Sequence, residues 1–207
     1  MLKAVREYLS FAGVQYRNPD KAGDEREKML DLRQKGQEAR KAFTELAKTF
    51  QASHPEWKLQ QTSQWMNQAQ RLRPHFWAYL QRDGQVTEPM MALRLYGTPA
   101  NYGISLEVSF IERKKNEQTL DKQAKVLELP AVEGIYYLVY SNGESHKMEA
   151  TEENRRTLRE KVRSQEVRKV LVKADVSFNE NQSVEAILEE LESAYTHLLP
   201  YYEVTRE

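Results

Sequence analysis

The 207-residue chain has no cysteine, which excludes disulfides, thiolate zinc sites, iron-sulfur clusters and cysteine nucleophiles. Glycine and proline number only eight and seven. No strand is followed by a GxGxxG turn opening a helix, and no Walker lysine or GxSxG elbow occurs, so neither a doubly wound dinucleotide fold nor a phosphate loop is expected. An excess of one charge is also lacking, because Lys+Arg 31 is balanced by Asp+Glu 31. Phosphate backbones would therefore meet local basic patches and not a global field. No apolar run approaches the roughly 18 to 20 residues of a membrane span, and MLKAVREYLSFAG lacks a signal-peptide core, so a soluble, cytoplasmic protein without membrane contact is expected. His54, His75, His146 and His197 show no HxH or HExxH spacing, and no metal or cofactor is expected.

What is present suits a globular protein: 40% of residues are hydrophobic and 30% charged, and the length allows one substantial core. Residues 1–52 read as helical. Leu2, Val5, Leu9 and Ala12 repeat at helical spacing before Gly13, and Tyr16 to Glu25 is a loop in which Asp24 is a plausible N-cap. From Glu25 to Ala52, Met29, Leu32, Gly36, Ala39, Phe43, Leu46 and Phe50 recur at steps of three and four. This narrow stripe fits packing on the protein's own sheet, and it also offers a coiled-coil-like seam for a homodimer through helix 25–52.

Residues 56–178 should contain the sheet. Arg71 to Arg82, Met90 to Gly97 and Tyr102 to Arg113 read as three strands, with GTPANYG as the loop between the second and third. If they pair, Phe76, Ala78, Leu80, Met91, Leu93, Leu95, Ile104, Leu106, Val108 and Phe110 line one side. NEQTLDKQAKVLELP reads as a helix ending before Pro130, and Asn142-Gly143 as the turn of a hairpin. Thr151, with acidic residues just behind it, suggests a capping-box helix over TEENRRTLREKVRS. Arg168 to Phe178 is a further strand, and a last helix over 183–199 should stop before Pro200. The expectation is a single α+β domain whose mostly antiparallel sheet packs against the long N-terminal helix and the C-terminal helix.

The other side of the central strands would carry His75, Trp77, Tyr79, Arg94, Tyr96, Ser105, Glu107 and Ser109. Histidine can exchange a proton near neutral pH, arginine can fork onto an anion, and glutamate can orient either group. Trp77, Tyr79 and Tyr96 would be the walls, as in sites that take small ligands or stack bases. The leading expectation is thus a non-enzymatic binding or regulatory module for a small polar or anionic ligand, or for a nucleic-acid base or phosphate. The bland alternative is that a helix covers this face and Arg94 merely neutralises Glu107. A competing reading takes Glu112 and Lys114, an ExK triplet, with Asp83 or Glu88 as the extra acid of a metal-dependent phosphodiesterase or nuclease. ENRRTLREKVRSQEVRK alternates in sign and reads as a solvated helix face.

Three blocks, RPHFWAY, the strand pair around GISLEVSF, and LEELESAYTHLLPYYE, together resemble an uncharacterised family of small bacterial cytosolic proteins sometimes labelled glucose-6-phosphate dehydrogenase. The resemblance implies an α+β cytoplasmic protein and brings no catalytic residues, while the dehydrogenase label conflicts with the missing dinucleotide fingerprint. The order of helices, a strand group with GIYYLVY and a closing helix is also similar to the N-terminal DNA-reading modules of modification-dependent restriction systems, a likeness of architecture that carries no function.

Overall fold

The computed structural model describes residues 2–82, 88–110, 117–179 and 181–206. Helix α1 (Leu2–Leu9) buries Val5, Tyr8 and Leu9 and lies against α2 (Arg26–Ala52). Every residue of the α2 stripe is buried within the chain: Met29, Leu32, Gly36, Ala39, Phe43, Leu46 and Phe50. Gly36 belongs in that stripe for a steric reason, since a Cβ there would stand 2.7 Å from Cδ2 of Trp65. Asp24 does not cap α2. The preceding 3₁₀ turn (Gly23–Glu25) runs directly into the helix, and the carbonyls of Ala22 and Gly23 already receive the amides of Glu25 and Arg26.

The strands are β1 (Lys58–Leu59), β2 (Trp77–Gln81), β3 (Met90–Thr98), β4 (Asn101–Ser109), β5 (Tyr136–Ser141), β6 (Glu144–Glu149) and β7 (Lys169–Ser177). They form one sheet in the order β1-β2-β3-β4-β7-β5-β6, and all neighbours are antiparallel. The strand expected from Arg71 begins only at Trp77. Before it, Leu72 donates its amide to Val14 and Arg73 donates its amide to Trp65, while Pro74 has no N–H to offer a ladder. GTPANYG is not a loop but the tip of the β3–β4 hairpin, whose pairing continues to Thr98 opposite Asn101. β4 ends at Ser109, so Phe110 is buried just beyond the strand and outside the main core cluster.

Among the remaining elements, α3 (Glu117–Ala124) passes into a 3₁₀ turn (Lys125–Leu127) before Pro130. Asn142 and Gly143 turn the β5–β6 hairpin with φ of 52° and 82°. Thr151 caps α4 (Glu152–Arg163) by accepting from the amide of Asn154. The box is not reciprocal, because its third helical position is Asn154, whose side-chain amide reaches back to the carbonyl of Glu149. The closing helix α5 (Val184–Arg206) overruns its expected end and contains Pro200. A proline inside a helix costs about 3 kcal/mol. Burial of Tyr201, Tyr202 and Thr205 beyond it offsets that loss, with the Tyr201 hydroxyl bonded to the carbonyl of Pro130.

Register fixes the two faces of the sheet. Ala78, Leu93, Leu106 and Ala174 stand in one row across β2, β3, β4 and β7, and Leu80, Met91, Val108, Val172 and Tyr137 in another that reaches β5. Helices α1, α2, α4 and α5 share one core cluster with the sheet, and every strand residue in that cluster lies on this face. The result is a single α+β domain with its core on one side of an antiparallel sheet. Among the described residues, no helix is long and apolar enough to cross a membrane.

Candidate functional site

The second face contributes nothing to that cluster, although Met90, Ala92 and Leu171 on it are buried. Its central rows are Trp77, Arg94, Ser105 and Asp175, and then Tyr79, Ala92, Glu107, Lys173 and Tyr136. The alternation of β2, β3 and β4 thus brings His75, Trp77, Tyr79, Arg94 and Glu107 to one side.

Glu107 is the centre of this group. Its Oε1 accepts from Nη2 of Arg94 at 2.9 Å, and its Oε2 lies 3.0 Å from Nζ of Lys173. The carboxylate side chain is only 1% exposed. Burial by itself would raise its pKa, but the charges of Lys173 and Arg94 outweigh burial and hold the carboxyl at about 2. Burial likewise opposes the charge on Arg94, and Glu107 overrides it and raises the guanidinium's pKa. Three charges on three strands therefore share one carboxylate, with Lys173 in the row of Glu107 and Arg94 reaching it from the adjacent row.

Trp77 lies beneath two arginines. The guanidinium carbon of Arg73 is 4.8 Å from its ring centre and that of Arg94 is 5.6 Å away. The ring of His75 is 5.6 Å from Trp77. Burial, with the charges of Arg94 and Arg73 next, lowers the pKa of His75 to about 4, so the imidazole is neutral at pH 7. It can give and accept one hydrogen bond each, and it adds no charge to the site.

Tyr96 stands apart from the other expected walls. Its hydroxyl is 3.0 Å from Oγ of Ser177, and its ring belongs to the row with Gly103 at the hairpin end of the sheet. A neighbouring group lies towards the other edge, where Tyr136 donates to Asp175 at 2.8 Å and Lys147 donates to the other oxygen of Asp175 at 3.0 Å. Ser105 and Ser109 are buried at the base of β4.

Two members of the central group were not singled out from the sequence, Lys173 and Arg73. Both carried a readable signal. In KVLVKADV, the apolar Val170, Val172, Ala174 and Val176 alternate with Lys169, Leu171, Lys173 and Asp175, which assigns the charges to the second face. Arg73 continues the odd-numbered series of His75, Trp77 and Tyr79 by one more step.

Glu112 and Lys114 of the ExK triplet, and Asp83, lie outside the described residues. Glu88, the other acid considered for that site, is 3.3 Å from Lys122. Among the described residues, no group of three or more His, Cys, Asp or Glu is arranged to hold a metal ion. Comparison with models of protein families gives no match, and comparison with curated proteins gives none either.

Proposed function

We propose that this protein is a binding or regulatory module that holds an anionic ligand bearing a planar ring, such as a nucleotide, on the sheet face around Trp77. What supports this is the charge count on the face around the indole: Arg73 and Arg94 stand over Trp77, Lys173 joins Arg94 on one carboxylate, Glu107, Asp175 is taken up by Lys147 and Tyr136, and His75 is neutral. Three positive charges less one negative leave a surplus of two, in a setting partly shielded from water, where charge-assisted hydrogen bonds are strong. A tryptophan and a tyrosine next to such a surplus are what ligands combining an aromatic ring with an oxyanion require.

The bland reading of the face is half right. Arg94 does pair with Glu107, yet the same carboxylate also serves Lys173, and among the described residues Arg73 meets no acid. The resemblance of RPHFWAY, GISLEVSF and LEELESAYTHLLPYYE to the bacterial cytosolic family supports a cytoplasmic setting for the module. A homodimer through helix 25–52 is the weaker reading of that helix, because its apolar stripe is already covered within the chain.

Calorimetric titration of the protein with inorganic phosphate, AMP and a short single-stranded oligonucleotide tests the proposal. At least one ring-bearing anion should bind, and Trp77→Leu should weaken it about tenfold, the value of one lost stacking contact. Binding at unchanged strength in the variant, or no binding of any probe to the wild type, would overturn the reading.

A further inference from the structure

We infer that Arg73, and not Arg94, is the residue that receives the ligand's oxyanion; this rests on the proposed binding face and assigns its anion subsite. Arg94 has the more central position in the sheet, but its guanidinium is already committed. Nη2 and Nε both point to Glu107, at 2.9 Å and 3.3 Å. Lys173 is held by the same carboxylate and is buried. Arg94, Glu107 and Lys173 together make a mutually paired floor with one positive charge in excess.

Arg73 is not committed to a carboxylate in this way. It is half-buried, and among the described residues its two Nη groups meet no acid. Its position is nevertheless fixed from several sides. Its amide donates to the carbonyl of Trp65 at 2.9 Å, and its own carbonyl oxygen lies 2.7 Å from the buried hydroxyl of Tyr8 on α1. Its Nε donates to the carbonyl of Met66 at 3.2 Å, and its guanidinium rests on the indole of Trp77. Pro74 follows and restricts the backbone further.

An arginine whose backbone and Nε are occupied, while both Nη groups meet no acid among the described residues, is a prearranged fork for a phosphate or carboxylate. Little side-chain freedom is left to lose when the anion arrives, so more of the interaction appears as affinity. A ligand that places its oxyanion on Arg73 has its ring beside Trp77 and His75, which is the nucleotide-like combination of chemistry. The neutral imidazole can then meet a polar ring edge without attracting a second anion.

The test is a comparison of AMP with adenosine, measured by calorimetry on the wild type and on Arg73→Gln, Arg73→Lys and Arg71→Gln. The wild type should prefer AMP by about tenfold to a hundredfold, as expected for one charge-assisted pair. Arg73→Gln should abolish that preference, read as the ratio of AMP to adenosine affinity in the same variant. Arg73→Lys, which keeps the charge but not the fork and is the milder change for folding, should retain part of it. Arg71→Gln is the control: its residue is exposed and bonds the carbonyl of Gly13, so the preference should persist. A phosphate preference that survives undiminished in both Arg73 variants overturns this assignment but leaves the binding face standing. Failure of the wild type to bind AMP or adenosine overturns the face and, with it, the subsite.

Discussion

Nζ of Lys173 lies 3.0 Å from Oε2 of Glu107, with both side chains almost fully withdrawn from water. Burying two charges is costly, and it is tolerated here because Arg94 completes the carboxylate's hydrogen bonding from the opposite strand. Lys173→Met should therefore destabilise the protein by about 3 to 5 kcal/mol, as expected when one partner of a buried pair is removed. Adding Glu107→Gln to Lys173→Met should recover part of that loss. Urea unfolding of the single and double variants checks both statements, and an equal loss in the two would show that the buried carboxylate is not the cause.

Acid should act on Glu107 in a defined window. Its folded pKa, about 2, is below the usual carboxylate value of 4.5, so it contributes stability that is full above about pH 4.5 and lost as pH falls towards 2. The difference amounts to roughly 3 kcal/mol. Glu107→Gln should flatten the stability profile between pH 4.5 and 2, measured by chemical unfolding at each pH.

His75 should act in a higher window with the same sign. Its folded value of about 4 lies below the ordinary 6.5, so the folded chain releases a proton, and the associated stability, present above pH 6.5, declines as pH drops towards 4. An NMR titration of the imidazole should give a midpoint near 4, and His75→Gln should remove the slope in that interval. A midpoint near 6.5 would mean that His75 is not enclosed by Arg94 and Arg73.

Gly103 should not tolerate a side chain. A Cβ there would collide with the carbonyl oxygen of Val176, stand 2.9 Å from Cα of Ser177 and lie 2.7 Å from the hydroxyl of Tyr96. Two of these neighbours are backbone of β7, so the β4–β7 pairing would have to open. Gly103→Ala should cost about 1 to 3 kcal/mol, the usual range for overpacking, read as a lower denaturation midpoint. Tyr96→Phe should cost much less, because it removes only the bond to Ser177.

Acrylamide quenching should report on the candidate site alone. Trp57 and Trp65 are 1% and 7% exposed, while Trp77 is half-buried on the second face. Trp77→Phe should remove most of the quenchable emission. Quenching that persists in the variant would place the accessible indole elsewhere.

Much of the fold was legible because it depends on local periodicity. The stripe of α2, the two-faced alternation of β2, β3 and β4, and the Asn142-Gly143 turn each follow from residues close in sequence. The misreadings arose where distant contacts overrode a local rule. Pro200 stops a helix in isolation, but burial of Tyr201 and Tyr202 carries α5 past it. Residues 71–76 alternate like a strand, but the amides of Arg71, Leu72 and Arg73 bond to Asn67, Val14 and Trp65, and the sheet is joined only from the carbonyl of Phe76, which accepts from Leu95. The site was half legible for the same reason. Trp77, Arg94 and Glu107 sit on strands adjacent in sequence, whereas Lys173 reaches Glu107 only because β7 pairs with β4.

The position of β7 also sets an order of assembly. The β3–β4 and β5–β6 hairpins each close through neighbours in the chain, but β7, made after all of them, is the strand that lies between β4 and β5. During synthesis, a chain that has not yet delivered residues 169–177 can hold two separate hairpins and cannot join them. Each then presents an unpaired edge, and Glu107 still lacks its lysine. Such non-local closure is slow compared with hairpin formation and leaves those edges open to other chains in the interval. The strand that brings Lys173 to Glu107 is thus also the one that turns two ribbons into a sheet, so the candidate site exists only once the fold is nearly finished.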